Sequence, residues 1–167
     1  PGDIVGTGGR GGGGGGEGRE GPGCRPVPPP RLEGAMRLAR AVLPEMASRG
    51  WGRVVFVGGP ATLGPVRDRG AADAAADGAL AALAASLARE WATRGITVNT
   101  IAPVFVRSHT DTDALTEPQR RQLLADIPAA RFGEPEEFGH AVRFLVSPLA
   151  GFVTGEVIRL DGGLHLG

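Results

Sequence analysis

The chain has 167 residues, 41% of them hydrophobic, and its 18 basic and 18 acidic residues balance to a net charge of zero. That length and apolar content suit one core rather than two. The zero balance, in which every basic residue is an arginine, supplies no field that would gather nucleic acid or an anionic membrane.

Residues 6–30 are dominated by glycine and proline, including the run Gly11 to Gly16 and the triplet Pro28, Pro29, Pro30. Such a stretch cannot bury enough apolar surface to offset the entropy of ordering its backbone. Residues 1–30 are therefore expected to be a largely disordered segment, with at most a degenerate strand at 3–5. The single cysteine, Cys24, lies in this stretch; it has no partner for an internal disulfide and no His or Cys at metal-ligand spacing, so an exposed thiol and no metal site are expected. Gly6-Thr7-Gly8-Gly9-Arg10-Gly11 satisfies the Gly-x-Gly-x-x-Gly string, but more glycine follows it rather than a helix, and a phosphate loop needs the helix N-terminus. There is no basic-then-apolar leader and no apolar run of spanning length, which makes the cytoplasm the expected compartment.

From residue 31 to 167 the periodicities are those of one folded domain. Leu32, Ala35, Met36, Ala39, Val42, Leu43 and Met46 fall on one helical stripe, with Glu33, Arg37, Arg40 and Arg49 mostly on the other faces. This predicts an amphipathic helix bent at Pro44, where a backbone donor is lost. Arg53-Val54-Val55-Phe56-Val57, closed by Gly58-Gly59-Pro60, reads as a strand buried on both faces. An alanine-rich helix follows over 71–93, with Leu80, Leu83, Leu87 and Trp91 on one stripe and Gly95 as its stop. Residues 96–101 form a second strand. Thr116 with Gln119 has capping-box spacing for a short helix to about Ile127. Pro135, Glu136 and Glu137 open another helix that turns Phe138, Ala141, Val142 and Leu145 inward. Glu156-Val157-Ile158-Arg159-Leu160 is a third strand. Strands separated by helices imply parallel pairing through crossovers and an α/β layer structure.

Three blocks carry a resemblance. Arg94-Gly95-Ile96-Thr97-Val98-Asn99 runs into Ala102-Pro103; Arg131-Phe132-Gly133-Glu134-Pro135-Glu136-Glu137 follows; Thr154-Gly155-Glu156 leads to Asp161-Gly162-Gly163. Each resembles the short-chain dehydrogenase/reductase family at the position and spacing where that family carries it, and the segments 34–50 and 52–57 look like its helix and central strand before the active-site serine. Asp3-Ile4-Val5-Gly6-Thr7-Gly8-Gly9 is loosely similar to an upstream strand and turn. The resemblance implies the catalytic-side half of a Rossmann-like three-layer fold, a parallel sheet of three to four strands flanked by helices. It also implies hydride transfer between a nicotinamide, NAD or NADP, and a carbonyl or alcohol carbon.

In that family a tyrosine donates the proton and a lysine four residues later holds the cofactor and lowers the tyrosine's pKa. This chain contains neither residue type. Aligned on Ser86-Leu87-Ala88-Arg89-Glu90, the tyrosine position falls on Asp73 and the lysine position on Asp77. The serine position falls on Gly59, with one inserted residue in the loop after it, and the helix asparagine falls near Arg31. The resemblance thus assigns no catalytic residue. An aspartate starts from a pKa of about 3.9 and needs burial or a second carboxylate to serve as an acid near neutral pH. Asp73 and Asp77 sit one turn apart, but charged residues on an exposed helix face are the plainer reading.

What the resemblance retains is the nicotinamide end, Pro103-Val104-Phe105-Val106-Arg107-Ser108. There Pro103, a backbone group at Val106 and the hydroxyl of Ser108 are the implied cofactor contacts, while Val104 replaces a glycine at the point of close approach. The dinucleotide-binding loop is missing, so a truncated and catalytically impaired enzyme is the first expectation. The second is a non-catalytic module that self-associates through helices 34–50 and 71–93, the implied subunit contacts, with unpaired sheet edges inviting a partner chain. His109, His140 and His165 are expected at the surface, with no geometry linking them.

Overall fold

The structure, a computed structural model, describes residues 30–59, 71–104, 106 and 115–166, with side chains given for these except 30, 31 and 71–73. The glycine-rich stretch, Cys24, the 3–5 segment, Ser108 and His109 lie outside the described residues. In chain order the elements are α1 (Pro30–Ser48), β1 (Gly52–Val57), α2 (Ala71–Trp91), β2 (Ile96–Pro103), α3 (Glu117–Asp126), α4 (Pro135–Leu145) and β3 (Val157–Leu160). The described strands form one parallel sheet in the order β1-β2-β3, with Gly52 to Val57 paired to Ile96 to Ile101 and Thr100 to Pro103 paired to Val157 to Leu160. This is the α/β layering that alternating strands and helices imply.

α1 and α2 cover one face of the sheet. Ala35, Ala39, Leu43 and Met46 of α1 meet Val54 and Phe56 of β1, Ile96 and Val98 of β2, and Leu80, Ala84 and Ala88 of α2 in one buried cluster. α4 covers the other face, where Leu145 packs with Val55 and Ile101 and draws in Phe138, Ala141 and Val142. The β-branched run of β1 is buried on both sides for this reason, and so is β2 from Ile96 to Ala102. α1 continues through Pro44.

The stripes predicted from the sequence shift slightly. In α2 the buried apolar positions are Ala76, Leu80, Ala84 and Ala88, whereas Leu83, Leu87 and Trp91 are half-buried. Alanine methyls let the helix lie close to the sheet, and the larger side chains are turned sideways toward α1. Met36, expected inward, is 36% exposed.

The turn before β2 depends on Gly95. Its φ of 74° is left-handed, and a Cβ there would collide with the Gly50 carbonyl oxygen, so only glycine fits without strain. Gly95 O in turn accepts from Gly52 N–H and from Arg53 Nη1. Arg53, buried at the start of β1, also reaches the carbonyls of Gly52 and Ser147 and stacks on Trp51 at 4.9 Å. Burial pushes its guanidinium pKa below the usual value.

Candidate active site

Ligands of open parallel sheets bind beyond the carboxyl ends of the strands. Here that edge is built by the exits of β1 and β2. Gly58 N–H extends the ladder to Ile101 O at 2.8 Å, which carries the chain straight off β1 to Gly59. Gly59 N–H then donates to Asp77 Oδ1 at 3.0 Å. Both residues are buried, Asp77 with 3% of its surface exposed. A Cβ at Gly59 would lie inside the contact distance of the whole Asp77 carboxylate, 2.9 Å from Cγ and nearer still to Oδ2.

Two of the four positions that the sequence aligns with a catalytic set, Gly59 and Asp77, are thus brought together, and one expectation is corrected. Asp77 is not a solvated charge on an exposed helix face. α2 turns it inward, one and two turns ahead of the buried Leu80 and Ala84, and the β1 exit offers it a backbone donor there. Asp73 lies one turn earlier in α2, and its side chain is outside the described residues.

At the exit of β2, Pro103 is half-buried and pairs with Leu160. Val104 N–H donates to Leu160 O at 2.9 Å, and Val106 forms an isolated parallel bridge with Gly133. The backbone at Val104 and Val106 is therefore engaged with β3 and with the turn before α4. The side chains of Val104, Val106, Ile127, Phe138 and Leu160 line a cavity of ≈ 300 Å³ at this edge. Of the three implied cofactor contacts, Pro103 and Val106 are described and Ser108 is not.

The three sequence blocks prove to be braces for this edge. Asn99, 1% exposed, donates from Nδ2 to Val153 O at 2.9 Å and accepts at Oδ1 from Glu156 N–H at 3.0 Å. Beside it Val98 N–H donates to the Thr154 hydroxyl and Gly155 N–H to Val98 O. The first block is thereby clamped to the third. In the second block Arg131 grips both carboxylate oxygens of Glu137, whose Oε2 also accepts from Glu134 N–H at 2.8 Å. The Arg131 guanidinium and that backbone donor hold the Glu137 carboxyl down at about 2.

Sequence reasoning missed the link between Asp161 and His165. Asp161 Oδ1 accepts from Gly163 N–H at 2.9 Å, and Oδ2 lies 2.6 Å from His165 Nδ1. Burial alone would raise the Asp161 pKa, but the Gly163 amide and His165 outweigh it and the net shift is downward. The i, i+4 spacing of an acid and a histidine around Gly162-Gly163 was the signal that could have found it. His140 is exposed on α4, as expected.

Chemically, the edge presents a buried carboxylate turned onto a backbone amide. Among the described residues the side chain nearest the β1 exit is thus an acid that accepts from Gly59 N–H, not an ammonium of the kind that would meet a nicotinamide ribose. Among the described residues no cluster of three metal-ligating side chains occurs, and no helix is long and apolar enough to cross a membrane.

A family model described as Enoyl-(Acyl carrier protein) reductase matches residues 30–165. The 3-oxoacyl-[acyl-carrier-protein] reductase FabG of Vibrio cholerae is 41% identical over 136 residues, which cover 81% of this chain and 54% of the relative. FabG of Escherichia coli is 40% identical, with the same coverage. Among solved structures, a gluconate 5-dehydrogenase from Burkholderia cenocepacia J2315 in complex with NADP and tartrate superposes with a TM-score of 0.76 at 29% identity, covering 81% of this chain and 53% of that one. The TT0495 protein from Thermus thermophilus gives a TM-score of 0.73 at 32% identity, covering 82% and 60%. The chain spans about half the length of the curated relatives it matches.

Proposed function

This chain belongs to the short-chain dehydrogenase/reductase family, and on that premise we propose that it is an NAD(P)-linked oxidoreductase by descent whose own hydride-transfer chemistry is impaired. The reaction it descends from joins a nicotinamide to a carbonyl or alcohol carbon. One named relative is a reductase of 3-oxoacyl groups on acyl carrier protein and a structural neighbour is a gluconate 5-dehydrogenase, so the carbonyl/alcohol interconversion is the common element.

The observation that carries the reading is the Gly59–Asp77 contact. NADPH or NADH, when bound, would supply the hydride; the protein's part is to deliver a proton to the carbonyl oxygen and to hold that oxygen in place. At the positions aligned with that task stand a glycine without a hydroxyl, an aspartate at 73, and a buried aspartate at 77. A carboxylate there opposes a developing alkoxide rather than stabilising it, since like charges repel most where water is excluded. Pro103, Val106 and Ser108 are the residues left to meet a nicotinamide, and the bridge from Val106 to Gly133 ties up part of that backbone.

The test is turnover. The full chain is incubated with NADPH or NADH and a ketone, and in the reverse direction with NAD(P) and an alcohol. No change in nicotinamide absorbance above a protein-free control is expected, and consumption that saturates with ketone would overturn the impairment.

A second reading has its own support. α1 and α2 frame an apolar groove of ≈ 430 Å³ lined by Met36, Ala39, Leu43, Pro44, Leu83 and Leu87, with Met36 36% and Leu38 41% exposed. In this reading the chain is a cytoplasmic α/β module that associates with a second copy through helices 34–50 and 71–93. Small residues on both helices allow the close approach that such packing needs.

A further inference from the structure

We infer that Asp77 is the resident occupant of the space in which residue 59 would carry a side chain, so that positions 59 and 77 form one coupled unit holding the exit of β1 against α2. Asp77 is a positioning residue in this scheme, acting on the loop backbone.

The geometry is specific. Gly59 N–H points at Asp77 Oδ1, and the direction in which a Cβ would leave Gly59 runs into the same carboxylate. The two contacts impose opposite demands on any substitution. Adding carbon at 59 expels the carboxylate, and a displaced buried carboxylate gives up its amide donor without regaining water. Removing the carboxylate takes an acceptor from the Gly59 amide but opens the volume that a side chain at 59 requires. Each change made alone is therefore harmful, and each relieves part of the harm done by the other.

This has a bearing on activity that rests on the reading above. A hydroxyl at position 59 cannot be accommodated while Asp77 keeps its place, so a serine there and a cation at 77 have to be introduced together. The coupling itself rests on the contact alone, and stands whether or not the chain turns out to bind a nicotinamide.

The experiment is a double-mutant cycle on the full chain with Gly59→Ala, Asp77→Ala and the pair, read by urea unfolding, together with amide hydrogen exchange at Gly59 in Asp77→Ala and Asp77→Asn. The double variant is expected to be more stable than the sum of the single losses by on the order of tenfold in the unfolding constant. Gly59 exchange should quicken in Asp77→Ala and stay near the parent rate in Asp77→Asn, whose side-chain oxygen still accepts. Additive single effects, or a Gly59 amide equally protected in all variants, would overturn the inference. Should Gly59→Ala not fold, the exchange comparison of the two Asp77 variants decides it. Ketone-dependent consumption of NADPH or NADH would remove the impaired-enzyme reading and leave this cycle untouched.

Discussion

Arg131 and Glu137 meet side-on, Nη1 2.8 Å from Oε2 and Nη2 2.7 Å from Oε1, across the turn that opens α4. The pair holds the Gly133 segment that bridges to Val106, so it braces one wall of the candidate site. Its carboxyl is lowered from an ordinary 4.5 to about 2 in the folded chain. A lowered folded value means the unfolded chain binds the proton first. The pair's stabilisation is thus complete above the unfolded value and is lost as pH falls toward the folded one. Urea unfolding of the parent and of Glu137→Gln should differ at neutral pH, and the difference should shrink below pH 4.5. Added salt should narrow it too, because both side chains are solvent-exposed. A gap that widens on acidification would contradict the assignment.

Asn99 offers a larger effect from a single side chain. It satisfies a carbonyl and an amide of the segment leading into β3 while almost fully buried. Asn99→Ala takes the side-chain partner from both backbone groups, at a cost of about 1–3 kcal/mol for each. The unfolding midpoint should fall accordingly, and amide exchange should quicken at Glu156, which donates to Asn99 Oδ1.

Much of this fold could be read from the residues. The β-branched run 53–57, the stop at Gly95 and the inward set Phe138, Ala141, Val142 and Leu145 each state a local preference that tertiary packing does not oppose. Where packing did decide, the outcome differed. Met36 lies on the predicted stripe but is 36% exposed, at the groove it shares with Leu83 and Leu87 of α2. The candidate site was harder. An aspartate in an alanine-rich helix carries no sign of its burial, and only the fold brings it to the Gly59 amide, 18 residues away. The Asn99 brace joins β2 to a segment more than fifty residues further along the chain, which no periodicity encodes.

The groove between α1 and α2 predicts behaviour in solution. Light scattering after size exclusion should find an oligomer of the full chain. Met36→Asp places a charge at the groove's rim without touching the buried cluster. It should weaken association by about tenfold or more, the equivalent of ~1.4 kcal/mol, with little loss of helical signal. A parent chain that elutes as a clean monomer would remove the module reading.

Fluorescence titration of the full chain with NADPH and with NADH asks directly what stands beside a nicotinamide in this protein. The prediction is no saturable binding below the millimolar range, on the proposed reading that the buried Asp77, turned onto the Gly59 amide, stands where the family carries a cation. Saturable binding in the micromolar range would contradict it.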